Sequence, residues 1–377
     1  MKTVAGVLLA MLAARAGAVT QEEAQKAAAI RKDGAIEIDG RAVFPVGYYH
    51  VSWVRGRSGE TLRKDLALAA AAGADLFHPS LDLSPGVAAL LDDARRFGVR
   101  FIPEMNPKIL DAMVERHRGD PVVLAWNLGD DVTDRATVEQ IRERRERVRR
   151  LDPKVLTYVS AYNSGEAWLG KPGASSWFKA GIDILGMQNY PIPWEPGVGN
   201  HNWCDFAPGG RDKGNHRARV FWGMKRTVDQ AAAFGHRAVL ANVQAFRWNR
   251  EGPAWRWPTP EEFDNMTWQA VVAGVNGILY FTMHDATNYL PDRPELWRQT
   301  AATTADLKKV APLLLSGKRV VHPATEDASV RCVWATWSGA DGDLLVVAVS
   351  VSDREEEVRI PLPAGVTGEP AAVFEHR

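Results

Sequence analysis

Cysteine is nearly absent from this 377-residue chain, which contains only Cys204 and Cys332. The two lie in segments predicted to belong to different domains, so a disulfide is permitted but not implied. Cys332, inside an apolar alternating segment, is predicted to be a buried strand residue. No Cys-x-x-Cys or His-x-x-x-His pair occurs. The sequence therefore predicts neither a metal site nor a cofactor.

An excess of charge of either sign is also missing, since 46 basic residues balance 46 acidic ones. A neutral chain lacks the basic footprint of nucleic-acid-binding proteins, so we expect no nucleic-acid partner. No Gly-x-Gly-x-x-Gly motif follows the first predicted strand, and neither a nucleophile elbow nor a phosphate-binding glycine loop is visible. These absences argue against dinucleotide-dependent enzymes and elbow-type hydrolases.

Only the N-terminus carries a long apolar run, where residues 4–14 follow Lys2 and precede the small residues 16–18. The run is shorter than the roughly 20 residues that span a bilayer. This arrangement predicts a signal peptide over residues 1–18, and hence a secreted or periplasmic protein with no membrane association after cleavage. A buried N-terminal helix is the alternative.

A repeating strand-helix pattern fills most of the chain, beginning with a hairpin signal at residues 35–44 that turns on Asp39-Gly40. After a first strand near residues 45–50, strands are predicted at 74–81, 98–105, 122–132, 155–162, 183–190, 238–245 and 277–284. Helices are predicted at 59–72, 84–97, 107–117, 134–151, 175–180, 223–234 and 294–315, with another opened by Thr259-Pro260. Eight such units predict an α/β fold, a (β/α)₈ TIM barrel over residues 31–315. A doubly wound open sheet is the alternative.

The pattern changes at Ser316-Gly317 to short alternating segments at 330–337, 344–351 and 356–361, joined by polar turns. These segments predict a small C-terminal antiparallel β module, similar to a β-sandwich, over residues 316–377.

The stretch 122–132 is the first candidate for chemistry, because an apolar strand pattern ends abruptly at Gly129, Asp130 and Asp131. Catalytic residues of parallel barrels gather at the carboxyl ends of the strands. The alternative is that one aspartate only caps the next helix. By the same rule, Glu104 and Asp285 are further candidate catalytic carboxylates.

Polar and aromatic residues at the other predicted strand ends are candidates for substrate binding. They are Tyr48, His50, His78, Asn127, Tyr162, Gln188, Tyr190, Gln244, Trp248 and His284. Carboxylates beside amides suit a polyhydroxylated neutral substrate, which is a sugar. Several of the 14 tryptophans fall in predicted loops at this face, namely Trp53, Trp194, Trp203, Trp248, Trp255 and Trp257. Their indole faces can cover sugar rings, or alternatively they anchor the loops.

Three segments carry a resemblance to the retaining glycoside hydrolase superfamily, in particular to barrels related to the β-galactosidase families. Residues 39–47 are similar to the opening hairpin and first strand, and residues 274–281 resemble the eighth strand. Residues 125–132 resemble the fourth-strand signature, in which a tryptophan precedes Asp-Glu-Pro. The resemblance implies a secreted glycosidase acting on a polysaccharide or oligosaccharide.

Carried over by position, Asp131 stands where these enzymes hold their acid/base glutamate, although aspartate is one methylene shorter. Gln244 stands where their nucleophilic glutamate ends the seventh strand, and an amide cannot attack an anomeric carbon. Our hypothesis is that Asp131 is the general acid, with its pKa raised beside Asp130, and that Glu104 or Asp285 is its partner. A catalytically silent carbohydrate-binding barrel, which Gln244 favours, is the alternative. A deacetylase or lyase is a third possibility.

Overall fold

The computed structural model describes residues 28–52, 59–162, 171–192, 216–249, 255–325, 327, 329–355 and 357–362. Its centre is a barrel of eight parallel strands, which confirms the predicted fold class. Three short strands come first, β1 (Ala29–Ile30), β2 (Ile36–Ile38) and β3 (Arg41–Val43). The barrel strands are β4 (Val46–His50), β5 (Leu76–Pro79), β6 (Arg100–Phe101), β7 (Ala125–Asn127), β8 (Leu156–Ala161), β9 (Ile184–Asn189), β10 (Ala238–Gln244) and β11 (Gly277–His284).

The barrel closes where β6 meets β7. The other strands pair in parallel in the order β6-β5-β4-β11-β10-β9-β8-β7. Between the two ends, the Phe101 N–H donates to the Val122 carbonyl at 2.7 Å, and the Leu124 N–H donates to the Phe101 carbonyl at 2.8 Å. These two hydrogen bonds complete the ring, so the strand ends all meet at one face.

Helices follow the strands and pack outside the ring. They are α1 (Gly59–Ala71), α2 (Gly86–Phe97), α3 (Leu110–His117), α4 (Val132–Arg135), α5 (Val138–Leu151), α6 (Ala174–Lys179), α7 (Arg219–Phe234), α8 (Pro260–Ala273) and α9 (Pro294–Ser316). The predicted start of α8 is confirmed, because Thr259 Oγ1 accepts from the Glu262 N–H at 3.2 Å and the Thr259 N–H donates back to Glu262 at 2.9 Å. Within the described segments, no helix combines the length and apolar character needed to cross a membrane.

The single helix predicted at 134–151 is two helices. Ala136 has extended backbone angles, φ −147° and ψ 150°, which end α4. Thr137 then starts α5 with its own capping box to Gln140. The extra short helix α4 begins directly after Asp131, so the end of β7 turns sharply into helical structure.

The lower half of the barrel interior is apolar. Ile30 and Ile36 of the N-terminal hairpin pack into it and seal this end. The inward-facing side chains that they join are Leu76, Ile102, Leu124, Leu156, Ile184, Leu240 and Leu279. Burial of these side chains supplies the stabilising free energy of this region, at roughly 25 cal/mol per Å² of apolar surface. The polar side chains of the barrel interior therefore lie at its opposite end.

The C-terminal residues form one antiparallel sheet of β12 (Lys318–His322), β13 (Cys332–Ser338) and β14 (Leu344–Ser350). Val333 and Val347 of this sheet share a continuous core with α8 and α9. The strand predicted at 356–361 does not form in the described residues 357–362, and β12, next to α9, is the third strand instead. Cys332 is only partly buried, and Cys204 lies outside the described residues.

Gly186 of β9 illustrates how tightly the interior is filled, and it generates a first prediction. A Cβ atom at this position would lie 1.9 Å from Tyr158 Oη. We expect Gly186→Ala to lower the free energy of unfolding by about 1–3 kcal/mol, because overpacking forces the buried tyrosine or the backbone to move. Chemical denaturation measures the loss, and adding Tyr158→Phe should recover part of it.

Gly86→Ala is the matched control, because a Cβ at the start of α2 would meet only Ser84 Oγ at 3.9 Å. We expect this change to alter stability by less than about 0.5 kcal/mol. A Gly186→Ala loss no greater than that of the control would contradict the described packing.

Candidate active site

Buried hydroxyl groups form the floor of the polar end of the barrel. Tyr49 Oη donates to Asp130 Oδ1 at 2.8 Å and lies 3.5 Å from Tyr158 Oη. Asn242 Nδ2 donates to Tyr158 Oη at 3.4 Å and to Ser160 Oγ at 3.2 Å. Burial raises the pKa of both tyrosines, so each hydroxyl keeps its proton. The floor is therefore a fixed set of hydrogen-bond donors beneath the carboxylates.

Asp131 adopts a left-handed backbone conformation, with φ 49° and ψ 37°, at the point where β7 turns into α4. Non-glycine residues rarely occupy this region, although aspartate tolerates it better than most. Gln188 Nε2 donates to Asp131 Oδ1 at 2.9 Å, and Arg135 pairs with Asp131 Oδ2 at 2.9 Å. These two contacts hold both Asp131 carboxylate oxygens in place.

Asp130 is the carboxyl group whose surroundings favour its protonated form. Burial raises its pKa well above the ordinary value, and the charges of Asp131 and Glu104 raise it further. Hydrogen bonds from Tyr49 and Ser160 lower the pKa but do not outweigh these effects. A carboxyl group whose pKa is raised by burial and by neighbouring carboxylates is the usual arrangement for a general acid.

Glu104 extends the site into a cleft of about 440 Å³ beside the barrel end. Ser80 Oγ donates to Glu104 Oε2 at 2.9 Å. The volume lies within the roughly 300–1,000 Å³ of small-molecule sites. The lining residues are Ser52, Ser80, Leu81, Asp82, Glu104, Met105, Asn106, Pro107 and Ile109. A ligand in this cleft would therefore contact the carboxylate that influences Asp130.

His78, Asn127 and Tyr190, predicted to bind substrate, lie close to these carboxylates with Gln188. His78 stacks on Tyr49, with ring centroids 3.6 Å apart, and its Nε2 is 3.1 Å from Asn127 Nδ2. Burial lowers the pKa of His78 to about 3, so its neutral ring accepts the amide hydrogen. Burial and the nearby charges of Asp130 and Asp131 raise the pKa of Tyr190. These groups shape and support the carboxylate site.

Gln244 and Trp248 hold a loop in place. Gln244 is fully buried; its Oε1 accepts from the Ile192 N–H at 2.8 Å, and its Nε2 donates to the carbonyls of Ile192 and Phe246 at 3.2 Å each. Trp248 Nε1 donates to the same Ile192 carbonyl at 3.1 Å. The resemblance would place a nucleophile at position 244. Gln244 instead fixes the backbone of the segment that follows β9. Trp53, Trp194 and Trp203 lie outside the described residues.

Tyr48 and Tyr162 are not brought into the carboxylate group. Tyr48 points outward from the barrel, where its Oη donates to Thr300 Oγ1 of α9 at 3.0 Å. Tyr162 Oη accepts from Lys171 Nζ at 3.1 Å. Tyr48 thus links β4 to α9, and Tyr162 joins the segment after β8 to the segment before α6.

Asp285 forms a turn after β11. Its Oδ1 accepts from the backbone N–H groups of Thr287 at 2.7 Å and Asn288 at 2.8 Å, and its Oδ2 accepts from Asn288 Nδ2 at 3.0 Å. These local bonds account for both oxygens, so the geometry favours Glu104 over Asp285 as the second carboxylate.

His50 and His284 belong to a separate buried group around Asp65 of α1. His50 Nε2 and His284 Nδ1 lie 2.9 and 2.7 Å from Asp65 Oδ2, and Tyr289 Oη donates to Asp65 Oδ1 at 2.8 Å. Burial alone would raise the pKa of Asp65, but hydrogen bonds from His284, His50 and Tyr289 lower it well below its ordinary value. Asp65 is therefore an ionised acceptor.

This group is the one that could hold a metal ion among the described residues, since the ligand atoms of His50, Asp65 and His284 lie within 4.8 Å of one another. Ligands of a tetrahedral metal with bonds of about 2.0–2.1 Å would be about 3.3 Å apart. The two contacts to Asp65, at 2.9 and 2.7 Å, instead have the length of N–H···O hydrogen bonds. We therefore describe the group as hydrogen-bonded.

Sequence reasoning missed Tyr49, Ser160, Asn242 and Asp65. Asp65 carried a readable signal, because it lies among the apolar residues Leu62 and Leu66 on the buried face of α1. Tyr49 carried none, because every residue of β4 is buried and no alternation shows which tyrosine faces inward.

Solved structures of other proteins share the fold of this chain. No family model and no curated protein matches the chain. A glycoside hydrolase family 5 protein from Bacteroides vulgatus ATCC 8482 superposes with a TM-score of 0.59 and 12% identity, covering 85% of this chain and 80% of that one. An exo-β-1,4-mannosidase from Opitutaceae bacterium strain TAV5 gives 0.52 and 15%, covering 75% and 63%. A β-D-glucuronidase from Dictyoglomus thermophilum gives 0.48 and 15%, covering 68% and 46%.

This chain therefore spans less than two thirds of the mannosidase and of the glucuronidase. At such low identities the likeness shows the fold alone. The protein has the TIM-barrel fold found in glycoside hydrolases, as the sequence resemblance implied.

Asp130→Asn tests the proton held in the site. When the pKa of a carboxyl group is raised in the folded state above the ordinary value of about 3.9, its contribution to the free energy of unfolding is complete below that value. The contribution is lost as pH rises through the raised pKa. The variant cannot ionise, so we expect its free energy of unfolding to increase relative to the native protein between about pH 5 and about pH 8. The gain is about 1.4 kcal/mol for each unit of pKa elevation within that window. Urea denaturation at both pH values measures it.

Asp134→Asn is the control. Burial would raise the pKa of Asp134, but its bond to Lys171 lowers it overall. This variant should not gain stability relative to the native protein as pH rises. If Asp130→Asn changed the free energy of unfolding by the same amount at about pH 5 and at about pH 8, Asp130 would be ionised in the folded protein over that range.

Proposed function

We propose that the protein hydrolyses O-glycosidic bonds of an oligosaccharide or polysaccharide. The observation that carries this proposal is the convergence of Glu104, Asp130 and Asp131 at the carboxyl end of a parallel barrel, with Asp130 holding the proton. Enzymes with this fold hold their active sites at that end. Glycoside hydrolysis needs one protonated and one ionised carboxyl group, and the three acids supply both.

Each acid has a distinct role in this proposal. Asp130 donates its proton to the glycosidic oxygen while Glu104 removes a proton from the water that attacks the anomeric carbon. The new carbon–oxygen bond forms as the glycosidic bond breaks, and solvent returns the protons. Asp131, named from the sequence as the donor, instead supplies a neighbouring charge that raises the pKa of Asp130, and it is held in place by Arg135 and Gln188.

A catalytically silent carbohydrate-binding barrel is the second candidate. The observation that favours it is Gln244, which is buried and bonded to backbone at the end of β10. A retaining mechanism that depends on a nucleophile at this position is therefore unavailable to the chain. The cleft beside Glu104 would still accommodate a ligand with hydroxyl groups.

Reducing-sugar release from a panel of polysaccharides and aryl glycosides tests the enzymatic proposal. We expect Asp130→Asn and Glu104→Gln each to lower the rate by about 10²–10⁴-fold, the usual contribution of a general acid or base. We expect Asp131→Asn to move the alkaline limb of the pH profile to lower pH, because losing the neighbouring charge lowers the pKa of Asp130.

Asp134→Asn is the matched control, since this carboxylate on α4 bonds to Lys171 outside the site. Full activity in both Asp130→Asn and Glu104→Gln would overturn the assignment. Binding of one polysaccharide with no release of sugar from any substrate would favour the silent barrel.

Export is part of the same proposal. Residues 1–18 have the charged start, apolar run and small residues of a signal peptide, and they lie outside the described residues. We expect the chain purified from a secretion-competent host to begin at Val19. Intact-mass measurement and N-terminal sequencing check this, and a mature chain that still begins at Met1 would contradict it.

A further inference from the structure

Ser52 connects the buried Asp65 group to the cleft beside Glu104. It lies two residues beyond His50, a member of that group, and its side chain lines the cleft. Ser52 Oγ is 2.9 Å from His50 Nδ1, and His50 Nε2 is 2.9 Å from Asp65 Oδ2. A hydroxyl, an imidazole and a carboxylate are thus joined in series, and the hydroxyl is at the accessible end.

The tautomer of His50 follows from these contacts. Asp65 is an ionised acceptor, so the His50 nitrogen that faces it must carry a hydrogen. In neutral imidazole only one nitrogen is protonated, which leaves the Nδ1 lone pair directed at Ser52 Oγ. The Ser52 hydroxyl also lies 3.2 Å from the His50 carbonyl, which is the more distant of its two possible acceptors. His50 Nδ1 is therefore the acceptor best placed to take the Ser52 proton.

We propose that Ser52, His50 and Asp65 form a nucleophile, general base and orienting carboxylate that cleave esters of short acyl groups. Both distances lie within the roughly 2.6–3.2 Å required for a serine activated by histidine. The arrangement is recognised by geometry and not by motif, since such triads recur on unrelated folds in different chain orders. The nucleophile-elbow motif is not needed here, because Ser52 follows a barrel strand and already faces a cleft.

The cleft has room and polar groups for such a substrate. Its volume of about 440 Å³ accommodates an acyl group together with part of the alcohol. The Ser80 N–H donates to Ser52 Oγ and to the His50 carbonyl, at 3.2 Å each, and so holds the Ser52 hydroxyl at the edge of the cleft. Asn106 lines the same cleft, and since its Oδ1 accepts from the Lys108 N–H, the amide hydrogens are its remaining donors. The identity of the alcohol as a sugar rests on the proposed glycosidase function, but acyl transfer to Ser52 does not.

The reaction has two balanced steps. Ser52 Oγ bonds to the acyl carbon, its proton passes to His50 Nδ1, and that proton leaves with the alcohol oxygen as the ester bond breaks. Water then attacks the acyl-serine carbon, gives one proton to His50 and releases the acid, and His50 returns a proton to Ser52. Asp65 stabilises the imidazolium that exists between these transfers.

Labelling with a fluorophosphonate probe, followed by peptide mass mapping, tests the nucleophile directly. We expect the full-length protein to take up one probe per chain at Ser52 and to hydrolyse 4-nitrophenyl acetate. Ser52→Ala should abolish labelling and lower the hydrolysis rate by about 10²-fold or more. Ser84→Ala, which alters an exposed serine outside the cleft lining, should leave both unchanged.

Thermal melting of Ser52→Ala shows whether the variant is folded, and labelling of the unaltered protein does not depend on any variant. No labelling at Ser52 in the unaltered protein would overturn the proposal. So would ester hydrolysis that persists in Ser52→Ala. Asp130→Asn should label as the unaltered protein does, so loss of the glycosidase proposal would leave this one standing.

Discussion

Every second side chain of the eight parallel strands must fit inside a closed ring, and the rest of the structure depends on this constraint. The apolar side chains and the N-terminal hairpin fill one end of the interior, which leaves the polar side chains to converge at the other. Glycine is required where a large side chain crosses the interior, as Tyr158 does against Gly186. The strand ends then carry carboxyl groups into a space too small for their charges to be independent.

The crowding of charge at the end of β7 has a chemical consequence. Asp131 accepts from Gln188 and pairs with Arg135, whereas Asp130 accepts from the Tyr49 hydroxyl. Burial and the charges of Asp131 and Glu104 raise the pKa of Asp130, which favours its protonated form. Glycosidic bond cleavage requires an acid and a base in one site, and the proposed function assigns these roles to Asp130 and Glu104 without a carboxylate on β10.

Two sets of hydrogen bonds reach the cleft beside Glu104. Ser80 donates to Glu104, and Ser52 is bonded to His50, which in turn is bonded to Asp65. Polysaccharides commonly carry ester groups on their hydroxyls, so adjacent sites for ester and glycosidic bonds would act on one kind of polymer. The proposed nucleophile Ser52 and the proposed acid Asp130 are different residues, so substitutions can test the two proposals separately.

The barrel fold can be predicted from the sequence, because apolar periodicity and helix caps such as that of Thr259 are local signals. It also located the carboxylates, because Glu104 and Asp130 directly follow apolar strand segments. The direction in which each side chain points depends on the packing of the folded chain. In β4 both faces are buried, so Tyr49 and Tyr48 read alike although one supports Asp130 and the other binds α9. The contacts that raise the pKa of Asp130, that bond Gln244 to the backbone and that join Ser52 to Asp65 through His50 also arise only in the folded chain. Such outcomes depend on contacts between distant segments and on burial, and local periodicity encodes neither.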